Sequence, residues 1–361
     1  FCVKKSIFVK QNIILMKTTI LTSCLTFFLL CILGSCDSKP VGVSAIGVPY
    51  EIAVTADETV WEDSVGYALK EELLIDILGL PQSEPTMKIM YVKPKDFNGM
   101  MKYLRNVLIV DVDESKYTKV SLKSEKDKWV DKQVVVYLTS PTNEALLDYL
   151  KENRRLLADF YTKEEMERMG NIYRNSFSSL VMGKVKNRFD VSINAPAEMT
   201  YFKDTTNFFW TSNNANTGRM DLVVYTFPYT DPNTFTLDYL VAMRDSIMKI
   251  NMPGTYPDSY MSTNKLVTDY NSITLNGKYA GVLRGLWEMK GDMMGGPFVS
   301  VARLDEVNNR VVVAEGFVYA PETDKRSYIR RIEASLYTLL LPGETAPGNK
   351  AGTGQNIKTN D

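Results

Sequence analysis

The sequence predicts an α+β protein of two lobes, and three observations carry that expectation. The chain has 361 residues, enough for two cores at roughly 150 residues per domain. Its composition, 45% hydrophobic against 24% charged, is that of a globular body rather than a collagenous or disordered chain. The apolar spacing also changes along it. Helical and strand periods alternate up to about residue 160, and strand-length runs dominate after residue 188.

The first lobe, 45–160, opens with a strand around Val48 to Thr55. Thr59-Val60-Trp61-Glu62 has the form of a capping box, with Val65, Leu69, Leu73 and Ile77 continuing at helical spacing until Gly79-Leu80-Pro81. Strands are expected at Met87–Val92, Val107–Val112 and Gln133–Leu138, and a short helix near Asp96–Leu104. Ser140-Pro141 predicts the start of a helix reaching Phe160. Thr162-Lys163-Glu164-Glu165 reads as a second capping box and predicts a connecting helix within 161–187, with the domain boundary at Gly183–Asn187.

In the second lobe, 188–341, strands are expected at Phe189–Ile193, Leu222–Phe227, Ser272–Leu275, Tyr279–Met289, Phe298–Leu304 and Arg310–Tyr319. Asn308-Asn309 supplies a hairpin turn, and helices are expected at Thr234–Ile250 and Asp324–Leu340. The pattern predicts an antiparallel sheet covered by helices. The Gly-, Thr-, Asn- and Lys-rich stretch 342–361 predicts a disordered tail.

At the amino terminus Lys4, Lys5, Lys10 and Lys17 precede the apolar run Ile20–Leu33, and no acid occurs before Asp37. This is the layout of a secretory signal, 1–35, with Met16 as the expected start. The run falls short of the about 20 apolar residues a spanning helix needs. Leu33-Gly34-Ser35-Cys36 resembles the lipobox of bacterial lipoproteins. The resemblance implies cleavage ahead of Cys36, acylation of its thiol by palmitate-type chains, a lipidated tether over 36–44, and the lipid bilayer as a partner. It also implies a place in the cell envelope facing the periplasm, with the outer membrane as the expected bilayer. Cys2, Cys24 and Cys31 would leave with the leader, so the mature chain keeps no pair of thiols for a disulfide. Losing four Lys and no acid turns a balance of 42 basic against 43 acidic residues acidic, which removes the electrostatic basis for nucleic-acid binding.

The chain has no His, which excludes Ser-His-Asp and Cys-His nucleophile systems and HExxH zinc helices. Neither a metal nor a cofactor is expected, since no phosphate-cradling glycine motif or calcium loop occurs. Asp111-Val112-Asp113-Glu114-Ser115 resembles the DxDx[ST] motif of haloacid-dehalogenase-type phosphatases. Its mid-chain position, the missing acidic metal pair and the missing Rossmann pattern point instead to charges where a strand meets solvent.

The Lys290–Pro297 stretch, with Met293, Met294, Gly295 and Gly296, is either an adaptable loop for a ligand or partner, or a hairpin with Met laid on the sheet. The aromatics Phe208, Phe209, Trp210, Tyr225, Phe227 and Tyr229, and likewise Trp61, Trp129 and Trp287, are expected mostly in cores. The whole layout resembles an uncharacterised, domain-of-unknown-function family of envelope lipoproteins. The expected role is a non-catalytic binding or assembly module for an envelope protein or polymer. The alternatives are a carboxylate-based glycan hydrolase and a surface glycan-binding module.

Overall fold

The computed structural model describes residues 42–346 and 355–356. The leader, Cys36 and most of the expected tail lie outside the described residues. From Ser44 on, the described residues form one compact unit with an α+β architecture.

The first lobe is a mixed sheet built on β1 (Glu51–Thr55), β2 (Lys88–Val92), β3 (Asn106–Val112), β4 (Ser121–Lys126) and β5 (Val134–Ser140). Their order is β4-β5-β3-β1-β2, with β4 antiparallel to β5 and the other pairs parallel. Residues Gln355–Asn356 pair with β4. One sheet face buries Ile52, Val54, Leu108, Val110, Val136 and Leu138 against helices α1 (Glu58–Trp61), α2 (Ser64–Leu73), α3 (Asn143–Glu152) and α4 (Leu156–Asn175). These positions alternate along each strand, and on the opposite face Ala53, Thr55, Val107 and Val135 of the central strands are buried too.

The second lobe is antiparallel throughout. Its strands are β6 (Tyr201–Thr205), β7 (Phe208–Ser212), β8 (Arg219–Pro228), β9 (Tyr260–Leu275), β10 (Lys278–Lys290), β11 (Gly295–Asp305) and β12 (Arg310–Tyr319), ordered β6-β7-β8-β12-β11-β10-β9. Helices α5 (Ser179–Phe189) and α7 (Arg326–Leu336) cover one face, and α6 (Leu237–Asn251) covers the other. Alternation along β12 follows from this: Val312, Ala314 and Val318 face α5 and α7, while Val311, Val313 and Phe317 face α6. Both faces are covered, so β11 and β12 are buried along most of their length and mostly apolar, with Ser300, Arg303, Asp305 and Glu315 among the buried residues.

Several boundaries differ from the sequence expectation. Thr162 lies inside α4, which begins at Leu156, because Glu72 of α2 accepts the N–H groups of Arg155 and Leu157 at 2.7 and 3.0 Å and caps the helix from a distance. Burial pushes the Glu72 carboxyl above its usual range. The Thr59–Glu62 box also does not cap: α1 starts at Glu58, and its N-cap Asp57 makes no side-chain cap bond. Gly183–Asn187, expected as a boundary, lies within α5, and the break falls between α4 and α5 instead. Phe189 ends that helix rather than opening a strand. The chain beyond Pro342 is fixed as far as Glu344, whose carboxylate takes two bonds from the buried Arg303 guanidinium at 2.8 and 2.6 Å.

The lobes meet through charge as well as apolar contact. Glu84, from the loop after α2, accepts the N–H groups of Lys325 and Arg326, both at 2.8 Å, at the start of α7. That places a carboxylate at the positive end of the helix. Further along α7, buried Glu333 pairs with Arg284 of β10 and with Arg330, and it accepts the Tyr337 hydroxyl at 2.7 Å. Arg330 lies over the ring of Tyr50 in the first lobe, 5.9 Å from its centre. Met166 and Tyr173 of α4 pack on Ala334 of α7. Gly79 has a φ of +80°, and a Cβ there would sit 2.8 Å from the Gly285 nitrogen, so the approach of the two backbones requires glycine at position 79.

The two arginines hold the Glu333 carboxyl at about 2, below its ordinary 4.5, against the opposing effect of burial. A depressed carboxylate contributes stability above its unfolded value and loses it as pH falls through its folded value. Glu333→Gln is therefore expected to lower unfolding free energy by about 3–5 kcal/mol at pH 7. In urea titrations the gap to wild type should narrow between pH 4.5 and about 2. A gap that stayed constant over that interval would contradict the assignment.

Candidate functional site

A groove of about 610 Å³ runs between α6 and the edge strand β9. Its lining includes Asp245, Lys249, Tyr260, Ser262, Leu266 and Lys290. The floor is set by a chain of polar contacts that starts in the core. Glu315 of β12 and Arg244 of α6 are both fully buried, and the guanidinium donates three bonds of 2.8–3.0 Å to the carboxylate. The guanidinium also lies 4.0 Å from the ring centre of Phe298. Burial pushes the Glu315 carboxyl up, and Arg244 pulls it back.

Arg244 also donates to the Thr263 hydroxyl at 2.8 Å, and that hydroxyl lies 2.6 Å from Asp245 Oδ1. Arg can only donate and an ionised carboxylate can only accept, so the hydroxyl accepts from Arg244 and donates to Asp245. The Thr263 N–H donates to the same oxygen at 2.8 Å. Asp245 is thereby fixed at the groove floor through one oxygen. The Ser262 hydroxyl beside it is buried without a hydrogen-bond partner. Lys249 lies over the Tyr260 ring, and Lys290 pairs with Glu288.

Two irregularities expose large apolar side chains on the strands that line the groove. In β9, Lys265–Thr268 stand opposite the single residue Gly285, between the pairs Asn264–Leu286 and Asp269–Arg284. This wide bulge turns Leu266 outward, 95% exposed, and breaks an otherwise long sheet edge. The hairpin that carries Lys290 forms the second. It closes through Met289 N–H to Met294 O at 2.8 Å, with Gly291 at a φ of +77°, and leaves Met293 at its tip, 102% exposed. Ile250, at the end of α6, is 77% exposed.

Each residue singled out from sequence now has a place. Met293 projects into solvent, whereas Met294 packs on the core beneath α6. Gly295 and Gly296 belong to β11, paired with Glu288 and Trp287. A Cβ on Gly296 would lie 2.1 Å from Val318 O, the acceptor of the Trp287 indole N–H, so this glycine serves packing. Asp113 closes a turn onto Ser115 and pairs with Lys116, which hold its carboxyl down at about 2. Asp111 accepts the Tyr117 hydroxyl at 2.7 Å. Both acids are occupied at a strand end. Phe208, Phe209, Tyr225, Phe227, Trp61 and Trp287 are buried.

Sequence reasoning passed over Arg244, Asp245, Thr263 and Glu315. For Arg244, Asp245 and Glu315 the signal was a charge inside an apolar run, in Leu240–Met248 and Val311–Val318; Thr263 carried none. No group of three or more acidic, His or Cys side chains that could hold a metal occurs among the described residues. No helix among them is long and apolar enough to cross a membrane.

Comparison with known proteins follows the same division into lobes. Each lobe matches an uncharacterised family. Residues 45–174 match a domain of unknown function (DUF8532), and residues 178–338 match another (DUF4837). No curated protein matches the chain. A 1.50 Å crystal structure from Bacteroides thetaiotaomicron VPI-5482 is similar at 14% identity and a TM-score of 0.19, over 44% of this chain and 47% of that one. This chain thus spans less than half of that protein, and the likeness is too low to carry an argument.

Replacing Thr263 by Val removes the hydroxyl while keeping the shape, leaving an Arg244 N–H and a bond to Asp245 unmet. Thr263→Val is expected to cost about 1–3 kcal/mol in urea unfolding, and Thr263→Ser less than about 1 kcal/mol. Equal costs for the two variants would show that the hydroxyl does not link the core to the groove.

Proposed function

We propose that this chain is an acyl-anchored lipoprotein of a bacterial cell envelope, whose second lobe is a non-catalytic docking module for an envelope protein. The observation that carries the docking role is the exposure of three large apolar side chains: Leu266, which lines the groove, and Ile250 and Met293, which follow the lining residues Lys249 and Lys290 along the chain. Isolated apolar side chains on a surface are ordinary. Several on the elements that line one concavity, with charges between them, have the composition of a protein-binding patch with a polar component for specificity. Met is well suited to such a patch because its unbranched thioether adapts to a partner's contour. The lipobox-like Leu33-Gly34-Ser35-Cys36 supports the anchor, with the outer membrane as its place.

The groove acids have partners that suit binding better than hydrolysis: Asp245 is held by Thr263, and Glu288 by Lys290. A glycan platform would need exposed rings on one plane. The exposed Tyr67, Tyr201, Tyr256 and Tyr279 instead lie on α2, β6, the loop before β9, and β10.

A photo-cross-linking residue at position 293 in growing cells is expected to capture one protein product. Leu266→Asp combined with Ile250→Asp should reduce its yield about tenfold without altering the melting temperature. Cys36→Ala is expected to move the protein from the membrane to a soluble fraction. Absence of any product above background would remove the docking role, and retention of the Cys36→Ala variant in the membrane would remove the anchor.

A further inference from the structure

A second exposed apolar patch lies on the first lobe, where the chain enters the folded body. Ile46, Val48 and Met90 line one shallow recess together with Leu104, and all but Leu104 are exposed. The entering segment is joined to the turn Gly99–Tyr103 by Ile46 N–H to Tyr103 O at 2.9 Å and Arg105 N–H to Ile46 O at 3.0 Å. That turn adds Met100, 69% exposed, and Met101. Beside it, Trp129 packs on Phe97, and Lys102 lies over the Trp129 ring. Exposed Met and Val, bordered by Trp, Phe and Lys, have the composition of a surface that sits at a membrane interface: apolar groups below, amphipathic rings and lysine stems at headgroup level.

We infer that this patch rests against the bilayer to which the chain is tethered. What selects a bilayer over a protein partner is where the patch lies. Seven residues lie between Cys36 and Ser44, so eight Cα steps give a reach of at most about 28 Å at roughly 3.5 Å per step, and Ser44 opens the segment that carries Ile46 and Val48. A body held this close to lipid presents some face to it, and the face at the root of the tether exposes Ile46, Val48, Met90 and Met100, with Glu51 and Arg105 lining the same recess. Contact there would orient the molecule and not merely confine it. The inference takes the presence of a bilayer from the lipoprotein reading but concerns a different surface from the groove.

The test needs no acylation. The chain from Asp37 onward, with a hexahistidine segment in place of Cys36, is bound to vesicles of phosphatidylcholine and a nickel-chelating lipid, some of them carrying nitroxide on the acyl chains. Beyond Cys36 the chain has no cysteine, so Met100→Cys and Leu266→Cys each offer a single site for a fluorescent label. The label at position 100 is expected to lose about half its emission to the nitroxide, and the label at position 266 none. Adding Val48→Asp and Met101→Asp should abolish the loss at position 100 while the protein stays on the vesicles. Equal quenching at both positions, no quenching at position 100, or quenching that survives the two Asp substitutions would overturn the inference. The mass of Cys36 in the native protein reports separately on the anchor, so failure of one reading does not pass for failure of the other.

Discussion

The structure depends on carboxylates buried where two lobes share one helix. Glu84 leaves the first lobe to satisfy the opening N–H groups of α7, and Glu333, within α7, neutralises an arginine from β10 and another from its own helix. A helix terminus left without partners inside a protein is costly, and a buried carboxylate without a counter-charge is costlier still. The second lobe supplies the counter-charges itself but not the cap: the cap of α7 belongs to the first lobe, and the ring beneath Arg330 is that of Tyr50. Such contacts give orientation more than net stability, because the desolvation of each charge offsets much of its attraction. They allow few other ways for the lobes to fit.

The same device recurs within the second lobe and there shapes the groove. Arg244 and Glu315 sit between α6 and the sheet, and Thr263 carries their polarity outward to Asp245. A wholly apolar core would leave that carboxylate free to turn. The bulge in β9 is a second feature with two effects: it breaks a long sheet edge that would otherwise invite pairing with another chain, and it places Leu266 on the groove rim.

How far this could be read from sequence depended on how local each cause was. Strands buried on both faces were plain, and Arg310–Tyr319 was placed with the bounds it has in the structure, because an apolar run of strand length, interrupted only by Glu315 and Gly316, admits little else. The edge strands Ser121–Lys126 and Tyr201–Thr205 were missed, since their exposed and charged residues follow no apolar alternation. Helix starts failed where capping came from afar: Thr162 resembles a cap, but Glu72 supplies the real one, and no short motif records a partner that distant. The Met/Gly hairpin was visible as composition, yet its division into an exposed Met293, a packed Met294 and a strand glycine beneath Trp287 came only from tertiary contacts. Fold class, then, follows from periodicity, whereas the groove is assembled from single charges in apolar runs.

The most direct test of a body locked by these carboxylates is equilibrium urea unfolding followed separately in each lobe. Trp61 and Trp129 would report on the first lobe, and Trp210 and Trp287 on the second, in paired Trp→Phe variants that leave one reporter set at a time. Shared burial at the interface predicts coincident transitions with one midpoint and one slope. Two separated midpoints in the otherwise unaltered protein would contradict it, because each lobe would then unfold without reference to the helix they have in common.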